Sequence, residues 1–207
     1  MGKKLKRPLV WIDCEMTGLD LQKDALIEVA VVITDEQLNI VDHGIDVLIK
    51  PSAQALEQMG SFVRKMHTDS GLLDDLEDAT ALADAQKQVL DYVRSIVPEP
   101  GKALLAGNSI GTDKAFLERD MPELINHLHY RVVDVSTLKE LAKRWHHRVF
   151  EEAPEKNGGH RARADILESI QELVYYRRAL FPEGDGPSRE KCRQIAAAVV
   201  DMGITAQ

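Results

Sequence analysis

Nowhere in the 207 residues does an apolar run approach the ~18 needed to span a bilayer, so the chain is not read as an integral membrane protein. Cysteine is scarce. Cys14 and Cys192 are too few for a disulfide framework and lack zinc-ligand spacing, which suits a reducing cytoplasm. An excess of positive charge is missing as well: 26 Lys and Arg face 34 Asp and Glu, a net charge of −8. Proteins that grip long nucleic acid through many phosphates are usually basic. Either nucleic acid is not the partner, or the substrate carries few phosphates. The start, MGKKLKRPLVWID, is basic, but its four apolar residues after Pro8 are too few for a signal peptide, and Lys6 stands where a myristoylation motif needs Ser or Thr. There is no internal repeat.

What is present is an ordinary globular composition, 44% hydrophobic and 29% charged, at a length that suggests one domain with an appendage. LVWI at 9–12 reads as a buried strand, and 25–34 and 39–50 as a hairpin that follows it. Leu82, Val89, Val93 and Ile96 recur at helical spacing before Pro98. KALLAGNSI is a strand, TDKAFLERDMPELINHL is helical with Pro122 opening a second helix, YRVVDV is a strand, and STLKELAKRW is a helix that Ser136 or Thr137 can cap. FEEAPEKNGG is a loop, and HRARADILESIQELVYYRRAL is a long helix. Three strands followed by alternating helices and strands predict an α/β domain with a mixed sheet over residues 1–181. Residues 182–207 read as a linker and a short helical extension. Trp11 and Trp145 are expected in the core, and His43, His127, His129, His146 and His147 on the surface.

The chemistry concentrates where acids interrupt element ends. Asp13 and Glu15 are one residue apart on a strand, so they share a face while Cys14 points the other way. Like charges buried side by side need a cation between them. Asp113 opens a helix just after a strand, and Asp165 follows His160 by five residues at a loop–helix junction. In α/β sheets, strand ends and the adjoining helix starts converge on one edge. Four carboxylates there would be balanced by two divalent cations, and all-oxygen ligands favour magnesium or manganese. Each residue taken alone has a plainer reading. Asp113 suits any first helical turn, and Asp165 and His160 any exposed surface. Glu28, inside an apolar strand, is either an acid supporting the site or a polar residue on a half-exposed face.

D-x-E at 13–15, Asp113 after NSIGT, and H-x4-D at 160–165 resemble the three motifs of the DEDD exonuclease superfamily, histidine branch. WIDCEMTGLD, MHTDSGL, GNSIGTD, DVSTLKELAKRW and APEKNGGHRARADILESI are similar, more narrowly, to the oligoribonucleases, from about Leu9 to Phe181. The resemblance implies a ribonuclease H-like fold with a five-stranded mixed sheet flanked by helices. It implies 3′-to-5′ hydrolysis of RNA of two to five residues, dinucleotides especially, to nucleoside 5′-monophosphates by a homodimer. Two Mg2+ or Mn2+ ions would clamp the scissile phosphate. Asp13 would bridge both metals, Glu15 and Asp165 would complete one site, Asp113 would support the other, and His160 would be the general base. Leu19 would wedge between the bases and Phe62 support one. His67 would lie near the 3′ end or the scissile phosphate. Ser109, Ser136 and Thr137 would bind the 5′ phosphate, and Tyr130 and Arg131 would reach in from the second subunit. The alternatives are a general exonuclease of the superfamily on single-stranded DNA or structured RNA ends, and a nucleotide-binding dimer module that has lost catalysis.

Overall fold

The computed structural model describes residues 5–155, 159 and 161–203. Strand β1 (Leu9–Met16) lies at the centre, between β2 (Leu26–Thr34), which it pairs antiparallel, and β4 (Leu104–Gly107), which it pairs parallel. Outside these lie β3 (Ile45–Leu48) and β5 (His129–Asp134), giving a five-stranded mixed sheet of order β3-β2-β1-β4-β5. The helices among the described residues are α1 (Ala53–Glu57), α2 (Ser61–Asp69), α3 (Leu72–Asp75), α4 (Leu82–Ile96), α5 (Gly111–Asp120), α6 (Pro122–His127), α7 (Val135–Trp145), α8 (His147–Glu151), α9 (Ala162–Leu180) and α10 (Arg189–Asp201).

Alternation along the strands divides the core into two layers. Val10, Ile12 and Cys14 on β1 and Val29, Val31 and Ile33 on β2 face one way, under Val89 and Val93 of α4, Phe116 and Leu117 of α5 and Leu124 of α6. Trp11, Ala30 and Val32 face the other way, under Ala142 of α7 and Ile166, Ile170 and Tyr176 of α9. Sheets covered on both faces are apolar on both, which is why these strands read as continuous hydrophobic runs. The buried Trp11 indole is satisfied, its N–H donating to Thr34 Oγ1 at 3.0 Å.

The structure departs from the sequence reading in several places. β1 runs beyond the apolar 9–12 through both acids, with Glu15 opposite Glu28, to Met16, with a register shift between Glu15 and Met16. β3 is shorter than 39–50, because the chain from Asp35 turns on that residue's carboxylate, which accepts from the Gln37 and Asn39 amides. Asp134 caps α7 by accepting from the Ser136 amide at 2.9 Å, in place of the hydroxyls of Ser136 or Thr137. Trp145, expected in the core, is 70% exposed at the end of α7. His127, expected on the surface, is buried, its Nε2–H donating to the Val97 carbonyl at 2.8 Å. Every described residue from 182 to 203, α10 included, is exposed.

Candidate active site

The C-terminal end of β1 is where both helical layers reach the sheet edge, and there the acids meet. Asp13 and Glu15 leave β1 on the α9 side, and Asp165 comes to them from the first turn of α9. One carboxylate oxygen from each of these three lies within 4.8 Å of the others. Asp113, in the first turn of α5, approaches from the opposite layer. Its Oδ1 accepts the Cys14 amide at 3.0 Å, and the Cys14 thiol also touches it. Cys14 points away from Asp13 and Glu15, as strand alternation requires, and on its own side of the sheet it sits against Asp113. Its thiol is pushed well up by burial and by the charges of Asp113, Asp13 and Glu15, so it stays protonated.

Glu15 is pushed up to about 9, first by burial and then by the charges of Asp13, Asp165, Glu28 and Asp113. Burial pushes Asp113 up to about 6 against the hydrogen bonds that favour its carboxylate. A buried acid held protonated by other acids is the arrangement a divalent cation relieves. The oxygen-only donors fit a hard ion of the magnesium or manganese type.

His67 is fully enclosed. Its Nε2–H donates to the Met16 carbonyl at 2.9 Å, and its Nδ1 stands 3.9 Å from Glu15 Oε2, which ties it to the acid-bearing strand. Leu19 and Phe62 are 73% and 80% exposed, neither of them a core residue. Leu19 rides on a braced loop. Asp24 accepts from Thr17 Oγ1 at 3.0 Å and from the Asp20 amide at 2.9 Å, and a Cβ on Gly18 would fall 2.3 Å from the Asp24 carboxylate.

Ser109 and Ser136 come together at the ends of β4 and β5, hydroxyl to hydroxyl at 3.1 Å, with Ser136 Oγ also donating to Asn108 Oδ1 at 3.1 Å. Ser109 has φ +51°, a backbone unusual for serine, held by its N–H to Asp134 Oδ1 and Ser136 Oγ. Thr137 is exposed on the next position of α7. Tyr130 and Arg131 are not brought to this site. They lie at the start of β5, about 10 to 13 Å back from Asp134 along the strand direction at about 3.3 Å per residue, with Arg131 over the Tyr130 ring at 5.4 Å and that ring stacked on His129. His160 lies outside the described residues.

Sequence reasoning missed Asp134 and Asn108, which order the two serines, and left Glu28 undecided. Glu28 is fully buried and bound to the start of α9. A charged residue inside LIEVAVVIT was the available signal. Asp46, on β3 beside it, is pushed up to about 6 by burial and by the Glu28 charge.

Residues 10–173 match the family described as Exonuclease (RNase_T). Exonuclease I of E. coli, in the zinc-bound form of its complex with single-stranded DNA, superposes with a TM-score of 0.64 at 12% identity over 84% of this chain. That likeness speaks to the ribonuclease H-like fold, and this chain spans 41% of that longer one. Curated relatives are much nearer in sequence. The oligoribonuclease of Cutibacterium acnes is 59% identical over 91% of this chain and 94% of its own length. That of Streptomyces coelicolor is 60% identical over 94% and 98% respectively. Identity at this level, along nearly the whole of both partners, is far more than a shared fold requires, and the chain belongs to the oligoribonuclease family of exonucleases.

Proposed function

We propose that this chain hydrolyses short oligoribonucleotides, of two to five residues and dinucleotides above all, from the 3′ end to nucleoside 5′-monophosphates. The observation that carries the reading is the cluster of Asp13, Glu15 and Asp165 with oxygens within 4.8 Å, at the sheet end that Asp113 also reaches. Asp13, Glu15 and Asp165 would hold one Mg2+ or Mn2+ ion, and Asp13 with Asp113 a second. When bound, such a pair supplies charge to stabilise the phosphate and acidity to generate a nucleophile from water. His160 takes the proton of the attacking water, since imidazole titrates close to neutrality. Leu19 and Phe62 offer exposed apolar surface to two bases, and the Ser109–Ser136 pair, with Thr137, offers hydroxyls to the 5′ phosphate. His67 steadies Glu15 and Met16 beneath the 3′ end of the substrate.

The place of Tyr130 and Arg131 at the far end of β5 from the Ser109–Ser136 pair supports a homodimer in which each subunit lends them to its partner's site. An arginine fork suits a terminal phosphate, and a phosphate capped in this way leaves no room for a longer chain. Residues 1–181 form the catalytic domain and 182–207 an appended linker and helix. Two cysteines with no partner between them agree with a cytoplasmic setting.

The test is incubation with a 5′-phosphorylated diribonucleotide and Mg2+, beside an RNA strand of about 20 residues and a DNA strand of the same length. Rapid release of nucleoside 5′-monophosphates from the dinucleotide, with slow attack on both long strands, is expected. Faster turnover of a long strand would make the protein a general exonuclease, and no metal-dependent hydrolysis of any of them a binding module.

A further inference from the structure

Glu28 is the one acid of β2, fully buried, and it stands directly opposite Glu15 across the β1–β2 pair, on the same face. A strand gains nothing from a charge there. Burying a carboxylate beside another acid is costly, and an apolar side chain would suit the position better. The carboxylate is instead turned onto the start of α9. Arg161 reaches its Oε1 with Nε at 3.0 Å and Nη2 at 2.9 Å, and the Ala162 amide donates to its Oε2 at 3.0 Å. The Arg161 side chain at the N-cap makes no capping bond of its own, and among the described residues the acceptor comes from β2, with the sign of charge that a helix N-terminus favours. Arg161 is held in turn by Asp75 of α3, its Nη1 at 2.7 Å from Oδ2. The connection to the acids is direct, because the Asp165 amide donates to the Arg161 carbonyl at 3.1 Å.

We propose that Glu28 is a positioning residue of the acidic site: with Arg161 it fixes the first turn of α9 and so holds the Asp165 carboxylate against Asp13 and Glu15, without itself becoming a ligand. Helix ends fray unless their first amides are satisfied. Asp165 lies inside that first turn, so losing the clip loosens a ligand while leaving the body of α9, packed by Ile166, Ile170 and Tyr176, in place. The inference rests on reading Asp13, Glu15 and Asp165 as metal ligands.

The experiment compares Mn2+ binding by calorimetry, kcat and KM on a diribonucleotide, and thermal unfolding, for the unmodified protein, Glu28→Gln and Arg161→Ala. Glu28→Gln keeps the volume and one acceptor but loses the charge. Groups that orient metal ligands typically cost about 10- to 100-fold in affinity or activity when removed. Losses of that size in Mn2+ affinity and in kcat are expected for Glu28→Gln, with KM changed by less than about threefold, and a loss of at least about tenfold in affinity for Arg161→Ala. A merely structural role would lower the unfolding temperature and leave Mn2+ affinity and kcat per folded molecule unchanged, which overturns the proposal. If Glu28→Gln does not fold, Arg161→Ala decides, because its side chain is partly exposed; wild-type metal affinity there overturns the proposal. Absence of Mn2+ binding by the unmodified protein overturns both this inference and the ligand assignment beneath it.

Discussion

Loading the acidic site with metal should expel a proton. Glu15 is pushed up to about 9, so near pH 7 only about one molecule in a hundred carries it ionised. Metal binds the carboxylate, not the acid. Filling the site near pH 7 therefore releases about one proton from Glu15 and about a tenth of one from Asp113, whose value is about 6. Forcing Glu15 into its ionised form two units below its pKa costs about 3 kcal/mol, a hundredfold in apparent affinity. The assay is calorimetry of Mn2+ binding in buffers of different ionisation enthalpy, repeated from about pH 6 to 9. The heat should vary with the buffer as for about one proton released, and the logarithm of the affinity should climb with a slope near 1 above about pH 7, flattening near 9. Glu15→Gln should abolish most of the proton release. Stability follows with the same sign. Both acids are raised above their unfolded values, so their contribution to the metal-free protein is fully present below about pH 4 and lost as pH rises toward 9. The unfolding temperature of the metal-free protein should fall across that range, and metal should restore it. Affinity independent of pH with no proton released would refute the like-charge account of the site.

Asp13→Asn should abolish hydrolysis and weaken Mn2+ binding, measured on the same preparation by product chromatography and calorimetry. His160→Ala should remove most turnover yet leave metal and dinucleotide affinity near wild type; full activity would end its assignment as the base. Arg131→Ala should damage dinucleotide cleavage more than metal binding, and mixing it with Asp13→Asn should regain activity, because one site of a mixed dimer then holds both intact acids and an intact Arg131. The dependence of log affinity on log salt should have a slope of about −1 to −2, at about −0.7 per phosphate contacted, and a slope several times steeper would mean that long strands are tracked.

Strand alternation was enough to place Asp13 and Glu15 on one face, since the period of two in β1 admits no other result. The long α9 and the strand β4 were likewise legible, because their apolar spacing matches what they bury. Tertiary partners were not. Trp145 ends an amphipathic helix and reads like a core residue, but nothing in the local pattern says that the last turn of α7 runs past the sheet. His127 is buried only because the Val97 carbonyl, thirty residues away in sequence, waits for its N–H. The cap of α7 lies two or three residues before the expected Ser136 or Thr137 for a similar reason. Ser136 and Thr137 are good caps in isolation, but Asp134 precedes them and its carboxylate also serves the Ser109 amide from β4. Glu28 was visible as an anomaly, and its meaning required Arg161, 133 residues further along.

The separation of the acids into three and one follows from the strand itself. Asp13 and Glu15 occupy one face of β1, and a helix on that side, α9, can bring Asp165 to them. Glu28 of β2 already adds a like charge on that face, where Glu15 is held protonated. Asp113 comes instead from the other layer, around the end of the sheet, and what it meets there is residue 14. Its carboxylate is gripped by the Cys14 amide, a donor that only proline would remove, so its orientation depends on β1 continuing as a strand past Asp13. The thiol beside it is small, buried in the core and held neutral. The extended geometry of Asp13–Cys14–Glu15 thus presents two acids to the α9 layer and, in the plane of the sheet, the Cys14 amide to Asp113.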